Sequence, residues 1–306
     1  MKPRIPIHHL KIMSKKVFII GNGFDLDLGM NTRYSDFVKS NKWPSGRYIG
    51  RNLHTHLSNR AHLSKWFDLE KELLVYSKLE GRESNLHHYK SLVGIDKEFF
   101  EHLVNSLTAY IREEEAKDVR DYSFAAEVFR AIIKNRNFSS IYSFNYTNLY
   151  KIAAKLGIRD EFKYDHVHGS VKNNDIILGV EEKSDLIPGY QFLYKTYSPH
   201  YESHSIQYDM LEAEEVVFFG HSLGHNDYHY FEAFFQEQCR DGMKRSDGKR
   251  ITIFTYDDPS RIEILDQLRQ MNDKKTDLLF NLNQMQFICT KEGGGERLER
   301  FLERIG

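Results

Sequence analysis

KVFIIGNGFD, residues 16–25, decides the fold. Residues 17–20 are a short, continuous apolar run without polar alternation, which is the pattern of a strand buried on both faces. Gly21-Asn22-Gly23 ends it. Outward from this strand, three further runs end in short polar motifs. SSIY leads into SFNYT at 143–147, FKYD into HVHGS at 166–170, and EVVFF into GHSLG at 220–224. An open parallel α/β sheet binds its ligands at the carboxyl ends of its strands. The four motifs are therefore expected to share one crevice, although the first and last stand about 200 residues apart.

Composition sets the frame. With 306 residues, 40% hydrophobic and 13% aromatic, the chain can bury a sizeable core, which excludes a disordered chain. Lys and Arg number 43 against 44 Asp and Glu, a balance that gives no electrostatic case for general nucleic-acid or membrane binding. Cys239 and Cys289 form neither a CxxC pair nor a disulfide framework, so both are expected buried and reduced, in the cytoplasm. No run has the length of a transmembrane helix. Residues 1–15 lack the apolar core of a signal peptide and read as a loose tail.

From 34 to 137 the chain is charged and rich in helix formers. Apolar residues recur at helical spacing, as in Phe99, Phe100, Leu103, Leu107 and Ile111, then Phe124, Val128 and Ile132. This reads as a helical insertion, with polar links near 44–62 and 77–95. The sheet is expected to resume at 139–144, with further strands at 162–167, 175–180, 215–220, 251–256 and 285–289. Helices are expected at 148–156, before 215, from Asp227, at 260–272 and at 295–304. Gly157 reads as a C-terminal cap, and Asp258-Pro259 as an N-cap with a first-turn proline. Strands alternating with helices imply a Rossmann-like, mainly parallel α/β sheet formed by 16–33 and 138–306.

Each motif has a chemical and a bland reading. Gly21, Asn22, Gly23 and Phe24 can turn helix N–H groups toward a phosphate, or can be a plain strand–turn–helix. Asp25 can cap that helix, hydrogen-bond a ribose or orient a base. Asn145 offers an amide at a strand end, while Asn145, Thr147 and Asn148 compete as caps of the next helix. His166 and His168 face one way on a strand. Two ligands do not make a metal site, and His168, directly before Gly169, suits proton transfer. Gly220, Ser222 and Gly224 match a nucleophile elbow, but Asp257, the acid at a later strand end, comes after both His225 and His229, so the order serine, acid, histidine fails. A backbone nest around phosphate, from Gly220, His221, Ser222 and Leu223, fits better. Asp68 and Glu70 in WFDLE read by default as a solvated helical face, with a role facing the crevice as the alternative.

Taken together, GNGFDLDLGMNTRYSDF, WFDLE, SFNYTNLY, HVHGS, ILGVEE, FLYKTYSP and FFGHSLGHNDYHYF resemble the AbiH family of bacterial phage abortive-infection proteins, in order over residues 17–260. The resemblance implies phage defence in which infection triggers damage to the host cell. A more distant similarity, in the order of glycine turn, [ST]xNx[DT], HG and GxSL, is to sirtuin-like NAD-consuming domains. It implies that Asn145 holds the ribose or attacking water and that His168 is the general base. Gly21–Phe24 and Gly220–Leu223 would surround the phosphates, with Thr147, Gly169 and Asp227 at the same site and Asp257 toward the adenosine ribose. Thr147 stands where that class has Asp, and two cysteines cannot build the four-cysteine zinc module, so no deacylase is implied.

The expectation is an effector that hydrolyses the N-glycosidic bond of NAD or a related nucleotide without a metal, with Asn145, His168 and Asp25 as its catalytic residues. A nucleotide-sensing module acting through a partner is one alternative. A metal-dependent nuclease using Asp25/Asp27 or Asp257/Asp258 on tRNA or DNA is the other. The insertion is expected to serve self-association, with a phage-derived or partner-protein trigger.

Overall fold

The KVFII run forms β1 (Lys16–Ile20). In the computed structural model, which describes residues 15–45, 50–63, 67–78, 86–136, 138–291 and 293–306, it lies at the centre of a six-stranded sheet. Its companions are β2 (Phe138–Ser143), β3 (Asp165–His166), β4 (Glu215–Phe219), β5 (Arg250–Thr255) and β6 (Gln284–Cys289). All pairings are parallel, and the order is β3-β2-β1-β4-β5-β6. This is the order of a doubly wound dinucleotide fold, whose direction reverses between β1 and β4.

Alternation along the strands divides two cores. Val17, Ile19, Val216, Phe218, Ile251 and Ile253 face one layer. That layer is built from α8 (Ile206–Glu212), α9 (Tyr228–Glu237), α10 (Asp258–Met271) and α11 (Thr276–Leu282). Phe18, Ile20, Val217, Phe219, Phe254 and Ile288 face the other. There lie α1 (Asn22–Asp27), α6 (Phe124–Asn135), α7 (Leu149–Lys155) and α12 (Gly295–Ile305). Phe219 stacks on Phe254 at 4.9 Å, and Phe301 meets Phe254 edge-on at 5.0 Å. Burying such a ring contributes about 1.5–3 kcal/mol, which fastens α12 to the sheet.

Among its described residues, the segment expected to be helical forms helices joined by turns. It contains α2 (Tyr34–Lys39), α3 (Leu53–Leu63), α4 (Leu69–Ser77), α5 (Leu86–Ala116) and α6. A third core joins residues of α2 to α5 with Val171, Ile176, Leu178, Val180, Tyr190 and Leu193. The stretch expected to be a strand at 175–180 is not one. Ile176, Leu178 and Val180 are buried against these helices, and its only bridge joins Val180 to Tyr194. The strand expected at 162–167 shrinks to two residues, followed by the left-handed turn at Gly169 (φ 70°). A β-carbon at Gly169 would lie 1.9 Å from the Asp175 carbonyl oxygen.

Caps explain other boundaries. Asn148, rather than Asn145 or Thr147, caps α7, accepting the Tyr150 N–H at 2.9 Å. Asp257, one residue earlier than expected, caps α10 by accepting the Ser260 N–H at 3.1 Å. Helix α11 had no counterpart in the sequence reading. The tail over 1–14, Trp66, and parts of the links at 46–49 and 79–85 lie outside the described residues. Among the described residues no helix is long and apolar enough to cross a membrane.

Candidate active site at the strand ends

Register brings the four motifs to one level. Ile20 pairs with Ser143 and with Phe219, and Ser143 pairs with His166. One residue further along, Gly21, Phe144, Val167 and Gly220 stand side by side. Their N–H groups continue the ladder to Phe219, Ile20, Ser143 and Phe254 carbonyls at 2.8–3.0 Å.

The two glycine motifs meet backbone to backbone at the β1/β4 reversal. Gly23 N–H donates to Gly220 O at 2.8 Å. A β-carbon on Gly21 would lie 2.5 Å from His221 Cα, and one on Gly23 would lie 2.6 Å from Gly220 Cα. These glycines therefore serve close strand-end packing, and the N–H groups of Gly21, Gly23 and Phe24 are all bonded within the protein. Phe24 and Leu223 send their side chains into the core. Ser222 is exposed, and Asn22 accepts a hydrogen bond from Thr32 at 2.6 Å.

Beside the glycines lies a buried carboxyl. Asp25 accepts from Asn145 Nδ2 at 2.8 Å and from Thr147 Oγ1 at 3.1 and 2.9 Å. Asn145 Nδ2 also donates to Gly21 O at 3.0 Å. Asp25 is 1% exposed, and burial pushes its pKa up to about 7 against the lowering effect of Asn145 and Thr147. His166 bridges Asn145 O and the Tyr164 hydroxyl, each at 3.1 Å, as part of this scaffold.

The second cluster centres on Asp227. This residue stands at the start of α9 without capping it. Its side chain turns instead to His168 Nε2 (2.9 Å), His221 Nε2 (3.5 Å) and Lys195 Nζ (3.5 Å). A carboxylate only accepts, so His168 presents Nε2–H and its neutral form keeps the lone pair on Nδ1. Leu223 N–H donates to His221 Nδ1 at 3.0 Å, which likewise puts the His221 proton on Nε2, toward Asp227. Burial and then Lys195 push the His168 pKa down to about 4. Burial opposes ionisation of Asp227, but Lys195 and His168 outweigh it and hold its carboxyl well below the usual range. The Phe144 ring packs edge-on against both imidazoles, at 5.3 Å from His168 and 4.4 Å from His221.

Glu70, from α4, completes the cluster. Its Oε2 meets Lys195 Nζ at 3.2 Å and accepts from Asn226 Nδ2 at 3.1 Å. Burial raises its pKa to about 7 despite Lys195. Burial pushes the Lys195 ammonium down, but Glu70 and Asp227 outweigh it and hold it above the ordinary lysine value. Tyr34 and Tyr146 bond hydroxyl to hydroxyl at 3.3 Å. Burial first, with Glu70 adding, keeps both phenols protonated.

Other expected residues stand elsewhere. Asp257 is occupied in capping α10, Asp27 accepts the Ala125 N–H at 2.7 Å, and Asp258 pairs with Arg261 at 2.7 Å. The acidic pairs are thus each committed locally. Among the described residues no group of three or more His, Cys, Asp or Glu side chains is placed to hold a metal ion. A surface hollow of about 460 Å³, lined by Leu265, Arg269 and Phe280 among others, includes none of the site residues.

Every side chain in the Asp25 and Asp227 clusters comes from the stretch between β1 and the start of α9. A family model described as bacteriophage abortive infection AbiH matches residues 17–244 and so spans all of them. The chain belongs to the AbiH family. Membership implies a role in bacteriophage abortive infection. No curated protein matches the chain. Sequence reasoning missed Lys195 and Asn226 as members of the candidate site. Lys195 lies inside FLYKTYSP and Glu70 inside WFDLE, two stretches that carry the family resemblance, and that was the available signal.

Proposed function

We propose that this AbiH protein acts in abortive infection by hydrolysing the N-glycosidic bond of NAD or a related nucleotide at the strand ends. The observation that carries the reading is the Asp227–His168 pair, whose Nε2–H is engaged so that Nδ1 is left as a base. It sits at the carboxyl ends of a sheet with the dinucleotide-binding strand order, beside the reversal point.

In this reading the bond between ribose C1′ and the nicotinamide nitrogen breaks, and its electron pair stays with nicotinamide, which leaves neutral. Water adds to C1′, and its proton passes to His168 Nδ1 and then to solvent. A weak base suffices, because water meets a carbon that already carries positive charge, so most of the barrier is lowered by positioning. Asn145 orients the water or a ribose hydroxyl. Asp25 acts through Asn145 and Thr147, since both its oxygens are occupied by them.

Burial favours a second reading, a nucleotide sensor that binds without turnover. His168 is 6% and Asn145 5% exposed. One experiment separates the two: NAD turnover by the purified protein, with and without EDTA, beside His168→Ala and Asn145→Ala. Nicotinamide release that is unaffected by EDTA and lost in both variants is expected. Full activity in both variants would overturn the assignment, and saturable NAD or ADP-ribose binding without release would select the sensor.

A further inference from the structure

The chemistry above makes no use of Lys195 or Glu70, yet both are enclosed within it. Lys195 is 4% exposed, and its ammonium lies 3.2 Å from Glu70 Oε2, 3.5 Å from Asp227 Oδ1 and 3.4 Å from His168 Nε2. Its carrier is a short turn, Lys195–Tyr197, bonded to Val180 through the Lys195 N–H at 3.0 Å. Glu70 is held in turn by Asn226, the residue before Asp227. A cation brought this deep is costly unless it is paired, and here carboxylates meet it from two different elements.

Lys195 Nζ and His168 Nε2 are both donors aimed at the same oxygen, Asp227 Oδ1. Placing an imidazolium beside an ammonium at 3.4 Å sets two like charges in a water-poor site, so whichever is charged first keeps the other neutral. His221 after β4 and Tyr230 from α9 also face His168, while Glu70 from α4 and Tyr146 after β2 face Lys195. His221 also meets Asp227, at 3.5 Å from Oδ2, but Lys195 brings an ammonium to two carboxylates, Glu70 and Asp227.

We propose that Lys195, anchored by Glu70, is a positioning residue that keeps His168 neutral while Asp227 holds the remaining proton on Nε2, and so reserves Nδ1 as the base. Its consequence for turnover rests on the glycosidic reading; the protonation state itself does not. Two buried carboxylates left without their cation would threaten folding in Lys195→Met alone. The test therefore uses the full chain with Lys195→Met/Glu70→Gln, which removes one charge of each sign, beside Lys195→Arg, which keeps both.

The readout is the His168 ring resonance in protein labelled at histidine Cε1, identified by its loss in His168→Gln and followed from pH 4 to 8. The wild type and Lys195→Arg are expected to show no midpoint above pH 5. In the double variant the midpoint is expected to rise by at least one pH unit, with any acid limb of the NAD turnover profile rising in parallel. An unchanged midpoint in a folded double variant would overturn the proposal, whatever the activity. The expected midpoints in a protein that neither binds nor turns over NAD would keep this proposal and remove the glycosidic one.

Discussion

Replacing Asp25 by Asn should make the protein more stable at alkaline pH and leave it almost unchanged in acid. Asp25 is buried to 1% and its pKa rises from 3.8 to about 7, chiefly through burial. The folded-state value lies above the unfolded one, so this carboxyl's contribution is fully present below about pH 3.8 and is lost as pH rises through about 7. A rise from 3.8 to about 7 corresponds to a loss of about 4 kcal/mol, which Asn cannot suffer because it does not ionise. The amide fits the site. Its oxygen can accept from Asn145 Nδ2 at the present 2.8 Å, and its NH₂ can donate to Thr147 Oγ1, which now lies 2.9 Å from Oδ2. Any mismatch in this exchange costs about 1 kcal/mol, and that cost does not vary with pH. Urea unfolding followed by circular dichroism at several pH values between 4 and 8 measures the difference between variant and wild type. The difference is expected to grow by about 4 kcal/mol across that window. A pH-independent difference would refute the argument, because it would mean that Asp25 ionises as readily in the fold as in the open chain.

Gly220→Ala should cost more than about 3 kcal/mol, since its φ is 64° and the new β-carbon would lie 2.4 Å from Gly23 Cα. Gly157→Ala, at φ 70° with nothing within 4 Å, should cost only about 1–2 kcal/mol. Equal losses of melting temperature would argue against the backbone contact between the two glycine motifs. Asn145→Ala removes a donor from both Gly21 O and Asp25 and should destabilise the fold by about 1–3 kcal/mol, measurable by the same urea series. Cys239 is 1% exposed and its thiol is pushed up by burial, so in a Cys289→Ser background a thiol reagent at pH 7 should label it no faster than the protein unfolds. Rapid labelling under native conditions would show that the α9 end of the core opens.

The sheet was legible wherever an apolar run was short and bounded. β1, β4 and β5 stand within a residue of expectation because each is buried on both faces and reads as a short run of β-branched and aromatic residues. The run at 175–180 misled because a short apolar run reports burial, not hydrogen bonding, and here the burying surface is a layer of helices. Asn145, His168 and Asp25 stand out in the sequence because their motifs follow strands. That they divide into two clusters, one around Asp25 and one around Asp227, depends on side-chain directions that spacing does not encode. Lys195 escaped because a lone lysine among tyrosines reads as solvated surface. Glu70 reads by default as a solvated helical face, with the crevice as the alternative, and the partner brought by a distant segment turns it inward. Asp227 was placed correctly at a helix start, but its carboxylate serves the histidines rather than the helix.

β1 occupies the middle of the sheet, yet in the chain it precedes both of its neighbours, β2 beginning at Phe138 and β4 at Glu215. During synthesis at roughly 5–20 residues per second, it waits roughly 10–40 s for β4 to leave the ribosome. For that time KVFII is an apolar strand with an open edge, the kind of segment that seeks other nascent chains. The yield of native protein should therefore depend on translation speed and on chaperones that hold exposed strands, more than the stability of the finished fold would suggest.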